Sequence, residues 1–245
     1  MESGVFMLKA VFFDLDGTLL PLVDEEFVKV YFKLLTTKMV NYGFDPEELV
    51  KHLLTSLKLM YKNYVSKTNA EVFWDYFETV YDKEMVEKKI EFDKFYTNEF
   101  KGVNVCIGEN PYARDIVEFV KNNNLLCILS TNPIIPYDGA ITRMSYVGLK
   151  EEDFDFITAY ENFNYTKPNP MYFKTLLDKF NLKSDEVILF GNNELEDAWC
   201  AKQVGIKTYL IKDYLMVNDK LEEKVEIINM EDVIPTIVKE ISNKR

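Results

Sequence analysis

The chain has 245 residues, 47% of them hydrophobic and 29% charged, which suits one large globular domain or two small ones and argues against disorder, a collagen-like repeat or a disulfide scaffold. The formal net charge is −12, from 41 acidic and 29 basic residues, so nucleic acid and anionic membranes are disfavoured as partners. No apolar run approaches the ~20 residues of a bilayer span, the opening Met-Glu-Ser-Gly-Val-Phe has no signal-peptide pattern, and three scattered cysteines (Cys106, Cys127, Cys200) predict reduced, buried thiols in a cytoplasmic protein.

In chain order, residues 8–13 form a short apolar run closed by Asp14-Leu15-Asp16-Gly17-Thr18, which reads as a buried strand entering a turn. Residues 22–104 then lose the strand pattern. Amphipathic stretches fill 24–40, 46–61, 69–81 and 83–100, with Leu49, Val50, Leu53, Leu54, Leu57, Met60 and Tyr61 on one stripe of the second. Sixteen of the 35 aromatic residues fall in this third of the chain, either as the core of a small helical unit or as part of a substrate pocket. Trp74 is read as core, and His52, roughly opposite the apolar stripe, as facing solvent. Hinges are expected near Leu20–Val23 and Gly102–Gly108.

After the insertion, strand and helix signals alternate. Helices are predicted over 112–121, 170–180, 194–204 and 231–241, and strands over 125–129, 154–159, 187–190 and 207–211. Pro111 and Asn169-Pro170 open two of the helices and Gly205 closes a third. Glu151-Glu152-Asp153 reads as a solvated helix end. The alternation predicts an α/β protein: a Rossmann-like parallel sheet with helices on both faces, formed by residues 1–21 and 105–245, and an all-α unit inserted at 22–104.

One histidine is too few for a multi-histidine metal site and poorly placed for a Ser-His-Asp hydrolase, so acid–base work falls to carboxylates. Asp14 and Asp16 lie two apart at the carboxyl end of a buried strand, so both point to one side. Bare, they repel each other, and a cation or a shared proton must compensate. Ligands of open α/β sheets bind at such strand ends, and a carboxylate can act as nucleophile as well as base. A pair that merely caps a turn is the other reading of these two residues alone.

Asp-Leu-Asp-Gly-Thr after an apolar strand resembles the first motif of the haloacid dehalogenase superfamily of phosphohydrolases. Leu-Ser-Thr-Asn at 129–132 resembles the second, Thr166-Lys167-Pro168-Asn169-Pro170 the third, and Phe-Gly-Asn-Asn-Glu-Leu-Glu-Asp at 190–197 the fourth, in the family's order. The insertion sits where the family carries an α-helical C1-type cap. The resemblance implies that Asp14 attacks phosphorus to form an aspartyl phosphate and that Asp16 first protonates the leaving oxygen and then deprotonates water. It also implies phosphate binding by Asp14, Leu15, Asp16, Thr131, Asn132 and Lys167, with Lys167 offsetting charge as a catalytic residue. Mg²⁺ would be held by Asp14, the Asp16 carbonyl and Asn192, with Asp197 orienting that shell.

The fourth motif departs from the family at Asn192, where an acid is usual. Asn192 is a neutral ligand in a working site, or Glu194 or Asp197 ligates through a shifted loop, or the site is impaired. The implied function is Mg²⁺-dependent hydrolysis of a small phosphorylated metabolite. A phosphomutase and a catalytically weak binding protein stay open as alternatives. Asp16 disfavours a dehalogenase, since family dehalogenases lack it. The sequence leaves the substrate and the oligomeric state unread.

Overall fold

Strands buried on both faces read as unbroken apolar runs, and those runs become one sheet in the computed structural model, which describes residues 7–64, 66–218 and 225–243. The expectation about residues 1–6 lies outside the described residues. From the N-terminus, β1 (Ala10–Phe13) leads into α1 (Asp24–Met39), α2 (Pro46–Tyr61), α3 (Asn69–Val80), α4 (Lys83–Val86), α5 (Lys89–Thr97) and a 3₁₀ stretch, Glu99–Cys106. There follow α6 (Ala113–Asn122), β2 (Leu126–Leu129), α7 (Tyr137–Ser145), β3 (Phe156–Ile157), α8 (Met171–Lys179) and β4 (Val187–Gly191). A π-helical segment, Glu194–Trp199, runs into α9 (Cys200–Lys202), and β5 (Lys207–Ile211), β6 (Glu226–Ile228) and α10 (Val233–Asn243) complete the chain.

The six strands are all parallel, in the order β3-β2-β1-β4-β5-β6. This is a Rossmann-like α/β fold, and its strand order reverses between β1 and β4. Strand alternation sorts the core. Val11, Phe13, Ile188 and Phe190 pack with α6, α7 and α10. Ala10, Phe12, Val187 and Leu189 pack with α8 and α9. Helices α1, α2, α3 and α5 bury their own cluster, which includes Phe77, Phe95 and Phe100 and gathers in Tyr160 from beyond β3. The two connections of the insertion run side by side: Leu22 bridges Ile107, and the Gly108 N–H donates to the Pro21 carbonyl at 2.9 Å. No helix among the described residues is long and apolar enough to cross a membrane.

Several expectations need correction. Helix α7 and the edge strand β6 went unread, and the strand expected over 154–159 is two residues long. The stretch 83–100 divides into α4, α5 and the start of the 3₁₀ segment. His52 does not face solvent: its Nδ1 lies 2.8 Å from the Tyr76 hydroxyl, and its ring packs against Tyr76 and Tyr81, because α3 covers that side of α2. Asp153 is not solvated either. It is 4% exposed, accepts from Arg114 Nη1 at 2.6 Å, and accepts the Lys150 N–H at 2.8 Å. Trp74 is buried as expected, as are Cys127 and Cys200, while Cys106 is half-buried.

Candidate active site

Register sets the site. Phe13 pairs with Leu129 and Phe190, so the residues just past β1, β2 and β4 come out side by side at the carboxyl edge of the sheet. The Asp14 N–H donates to the Phe190 carbonyl at 2.9 Å and the Ser130 N–H to the Phe13 carbonyl at 2.7 Å. Gly17, at φ +75°, turns the chain away at once; a Cβ there would lie 2.1 Å from Asn192 Nδ2.

At the centre is Lys167, 1% exposed. Its Nζ donates to Asp14 Oδ1 at 2.7 Å and to Asp197 Oδ1 at 2.6 Å. Burial opposes the ammonium charge, but Asp14 and Asp197 outweigh it and hold Lys167 well above the usual lysine range. Burial likewise pushes the Asp14 carboxyl up, to about 8, against the pull of Lys167 and with a further push from Asp197 and Asp16. This answers the charge problem of two neighbouring aspartates: Asp14 takes Lys167, and Asp16 takes Arg143, whose Nη1 donates to its Oδ2.

Asp14 Oδ2, Thr18 and Asn192 form the other side. Thr18 Oγ1 lies 3.4 Å from Asp14 Oδ2 and 3.5 Å from Asn192 Oδ1. Asn192 Nδ2 donates to the Tyr214 carbonyl at 2.8 Å, which turns the amide oxygen towards Asp14. Asp16 Oδ1 is buried without a hydrogen-bond partner. The Asp14 carboxylate, the Asp16 backbone carbonyl and the Asn192 amide are hard oxygen donors of the kind Mg²⁺ takes. Among the described residues no group of three or more acidic, histidine or cysteine side chains is placed to hold a metal.

Asp197 points away from this set: its Oδ2 accepts the N–H groups of Asn192 and Asn193 at 3.1 and 3.0 Å. Thr131 is buried just beyond β2, its carbonyl accepting from Thr158 Oγ1 at 2.6 Å and the Tyr172 hydroxyl at 2.9 Å. The Asn132 side chain accepts the Lys167 N–H at 3.2 Å and donates to Glu196 Oε2 at 3.0 Å. The Lys167–Pro168 peptide is cis. Leu15 is fully buried in the core beneath the turn.

Three contributors escaped sequence reasoning. Arg143, from the unread α7, is one of only three arginines against 26 lysines, which is the one signal that could have marked it. Thr18 was quoted in the motif without a role. Glu196 accepts from Asn132 and from the Tyr61 hydroxyl, at 3.3 Å, at the end of α2. Burial is the main push on its carboxyl, up to about 7 against the pull of Lys167.

Comparison with known proteins decides the family. A model described as haloacid dehalogenase-like hydrolase matches residues 11–211. The chain belongs to that family. It is 27% identical over 211 residues to a glyceraldehyde 3-phosphate phosphatase of Pyrococcus furiosus, covering 84% of this chain and 81% of that one. To a phosphorylated carbohydrates phosphatase of Thermotoga maritima it is 23% identical over 200 residues, covering 82% and 83%. The fold is shared with a 2-haloacid dehalogenase of Pseudomonas syringae at a TM-score of 0.66 and 18% identity, over 95% of this chain and 99% of that one. The enzyme class expected for this haloacid dehalogenase-like hydrolase, a phosphatase, agrees with both curated relatives, each of which is one.

Proposed function

We propose that the protein hydrolyses a small-molecule phosphate monoester in two steps through an aspartyl phosphate on Asp14. The observation that carries this reading is the buried Asp14–Lys167–Asp197 chain beside Asp16, at the switch point of the sheet. Asp14 attacks phosphorus and the ester P–O bond breaks, while Asp16 gives a proton to the departing oxygen. Asp16 then takes a proton from the water that attacks the aspartyl phosphate, releasing inorganic phosphate and restoring Asp14. Lys167 neutralises charge on Asp14 and the phosphoryl group together, and Thr131, Asn132 and the N–H groups of the turn at Leu15 and Asp16 orient the phosphoryl oxygens. Asp14, the Asp16 carbonyl and Asn192 would hold Mg²⁺, which when bound supplies charge neutralisation between nucleophile and phosphate. Asp197 keeps Lys167 and the Asn192 loop in place.

The helical stretch 22–104 is read as a cap over a core of 1–21 and 105–245, excluding water from the strand ends. A small phosphorylated metabolite is the partner, and the family relatives that act on glyceraldehyde 3-phosphate and on phosphorylated carbohydrates support that class. A cytoplasmic location belongs to the same proposal, supported by three free thiols.

The test is release of p-nitrophenol from its phosphate ester with and without Mg²⁺, with Asp14→Asn as the blank. Mg²⁺-dependent release that the substitution reduces by at least about 10⁴-fold is expected. Turnover that survives Asp14→Asn overturns the mechanism. Isomerisation of a sugar phosphate with little free phosphate would mark a mutase instead.

A further inference from the structure

The insertion encloses a cavity of about 220 Å³ between its helices and the loop that follows Asn132, with Phe27, Met60, Trp74, Tyr96, Ile134 and Ile135 among its walls. The cavity adjoins the candidate site on two sides. Ile134 and Ile135 follow Asn132 along the loop after Pro133, and Met60 precedes Tyr61, whose hydroxyl meets Glu196. On the other side the Phe27 ring lies 5.9 Å beneath the guanidinium of Arg143, which pairs with Asp16. A phosphate ester seated at Asp14 with its alcohol portion turned towards Arg143 and the loop after Asn132 faces these walls.

The lining is almost without hydrogen-bonding capacity. No Asp, Glu, Lys, Arg or His borders the cavity among the described residues. The Tyr31 and Tyr96 hydroxyls share one hydrogen bond at 2.8 Å, which leaves a single O–H hydrogen between them, and Ser56 Oγ donates to the Leu53 carbonyl at 2.8 Å. Burial raises Tyr31, to about 12, and Tyr96 above the ordinary phenol range, so both stay neutral. The Trp74 indole N–H and the Tyr160 hydroxyl are the other side-chain donors on the walls. A polyol here would lose water from several hydroxyls with few groups to replace it, at about tenfold or more in affinity for each unpaired group. An apolar cavity of about 150 Å³ already takes benzene, so this one holds a ring with a methylene or two.

We propose that the ester group of the natural substrate is apolar, a phenyl ring or branched chain of similar bulk on a short methylene arm, and not a sugar or polyol. The inference rests on Asp14 being the nucleophile of a phosphatase, and it parts from the carbohydrate substrates named for the curated relatives. The lining comes almost wholly from the insertion and the loop after the second motif, neither of which belongs to the four motifs that carry the chemistry.

The experiment compares phenethyl phosphate, glycerol phosphate and acetyl phosphate on the full chain with Mg²⁺. The first two both release primary alcohols, so leaving-group chemistry does not separate them. Phenethyl phosphate is expected to exceed glycerol phosphate by about 100-fold in kcat/KM, the worth of burying one ring. Leu57→Trp, which fills the cavity from α2, is expected to cut the ratio of phenethyl to acetyl phosphate turnover at least about tenfold. Equal or reversed preference in the unaltered protein overturns the assignment whether or not the variant folds, as does an unchanged ratio in a folded variant. Acetyl phosphate keeps the two readings apart. Asp14-dependent turnover of it without the phenethyl preference sinks the apolar assignment alone, and no Asp14-dependent turnover of any of the three phosphates sinks both.

Discussion

At Asn192 an amide stands where the family pattern has an acid, and its surroundings are built for the amide. Nδ2 donates to the Tyr214 carbonyl, and the group fills the space left by the missing Cβ of Gly17. Asn192→Asp sets a carboxylate against that carbonyl and beside Asp14, so the variant is expected to unfold at a lower temperature without metal. With Mg²⁺ the added charge becomes an asset. The concentration for half-maximal turnover should fall by about tenfold, and thermal stability should rise more steeply with Mg²⁺ than in the parent. A Mg²⁺ titration of both activity and melting temperature checks this, and identical titrations for the two proteins would remove Asn192 from the metal site. Glu196 contributes to the pH dependence beside Asp14, whose carboxyl burial also lifts. Burial lifts its carboxyl from 4.5 to about 7, so between those values the folded state binds a proton that the unfolded chain has lost. Stability on this account is full below 4.5, falls as the pH rises to about 7, and stays lower above it, by at most about 3 kcal/mol. Glu196→Gln keeps an acceptor for Asn132 and a donor for the Tyr61 oxygen while removing the charge. Denaturant unfolding should show it more stable than the parent at about pH 8 and little changed at about pH 5.

The π-helical segment after β4 is the element on which the site turns. A plain α-helix over 194–204 is what the spacing predicts, but Asn193 caps Leu195 and Glu196 through its side chain, and the Ala198 N–H reaches back to the Asn193 carbonyl at 3.3 Å. The wider turn brings two consecutive acids inward, Glu196 to Asn132 and Asp197 to Lys167. Gly191 makes room for this, since a Cβ there would fall 2.4 Å from Asp197 Cγ. Gly191→Ala should therefore displace Asp197 from Lys167 and lower kcat by about 100-fold, the usual cost of an ångström of misplacement. Steady-state kinetics beside a circular dichroism spectrum distinguish this from misfolding, and a folded variant with unchanged kcat would free Lys167 from dependence on Asp197. The strands were legible because burial on both faces leaves unbroken apolar runs, as in Leu125 to Leu129. The first and third motifs were legible because Asp14-Leu15-Asp16-Gly17-Thr18 and Thr166-Lys167-Pro168-Asn169-Pro170 resemble the family's and come in its order. Helix α7 was not, because Gly139, Thr142 and Arg143 break its apolar stripe, and Arg143 is buried for Asp16 where a sequence reads surface charge. The edge strand β6 is largely exposed, so it carries no apolar run to read.

At the scale of the whole molecule, the insertion is joined to the sheet by more than its two chain connections. Asn69, fully buried at the start of α3, gathers the seam: its Nδ2 donates to the Pro133 carbonyl at 2.9 Å, its N–H to the Phe163 carbonyl at 2.9 Å, and its Oδ1 accepts from Asn63. The next N–H, of Ala70, donates to the Tyr160 carbonyl at 2.8 Å, and the Tyr160 ring packs into the insertion's own core. The chain connections themselves run Leu22 beside Ile107. Apolar packing and buried hydrogen bonds thus cross between the helices and the loop after the second motif, the loop that holds Asn132 against Lys167. A sequence pattern marks where an insertion begins and ends, but it does not show how strongly its faces couple to the rest, because Asn69 looks like any polar helix start. Strong coupling predicts that helices and sheet melt together. Asn69→Ala leaves the Pro133 carbonyl unpaired in a buried place and takes one of two acceptors from the Asn63 amide, which keeps the Lys67 carbonyl, at about 1–3 kcal/mol. The expected result is one cooperative transition, as in the parent, with its midpoint lowered by about 2–4 °C for each kcal/mol lost. Calorimetry decides it: two transitions in the variant, the earlier one matching loss of insertion aromatic signal, would show that the helices form a separate cooperative unit held to the sheet by little besides Asn69.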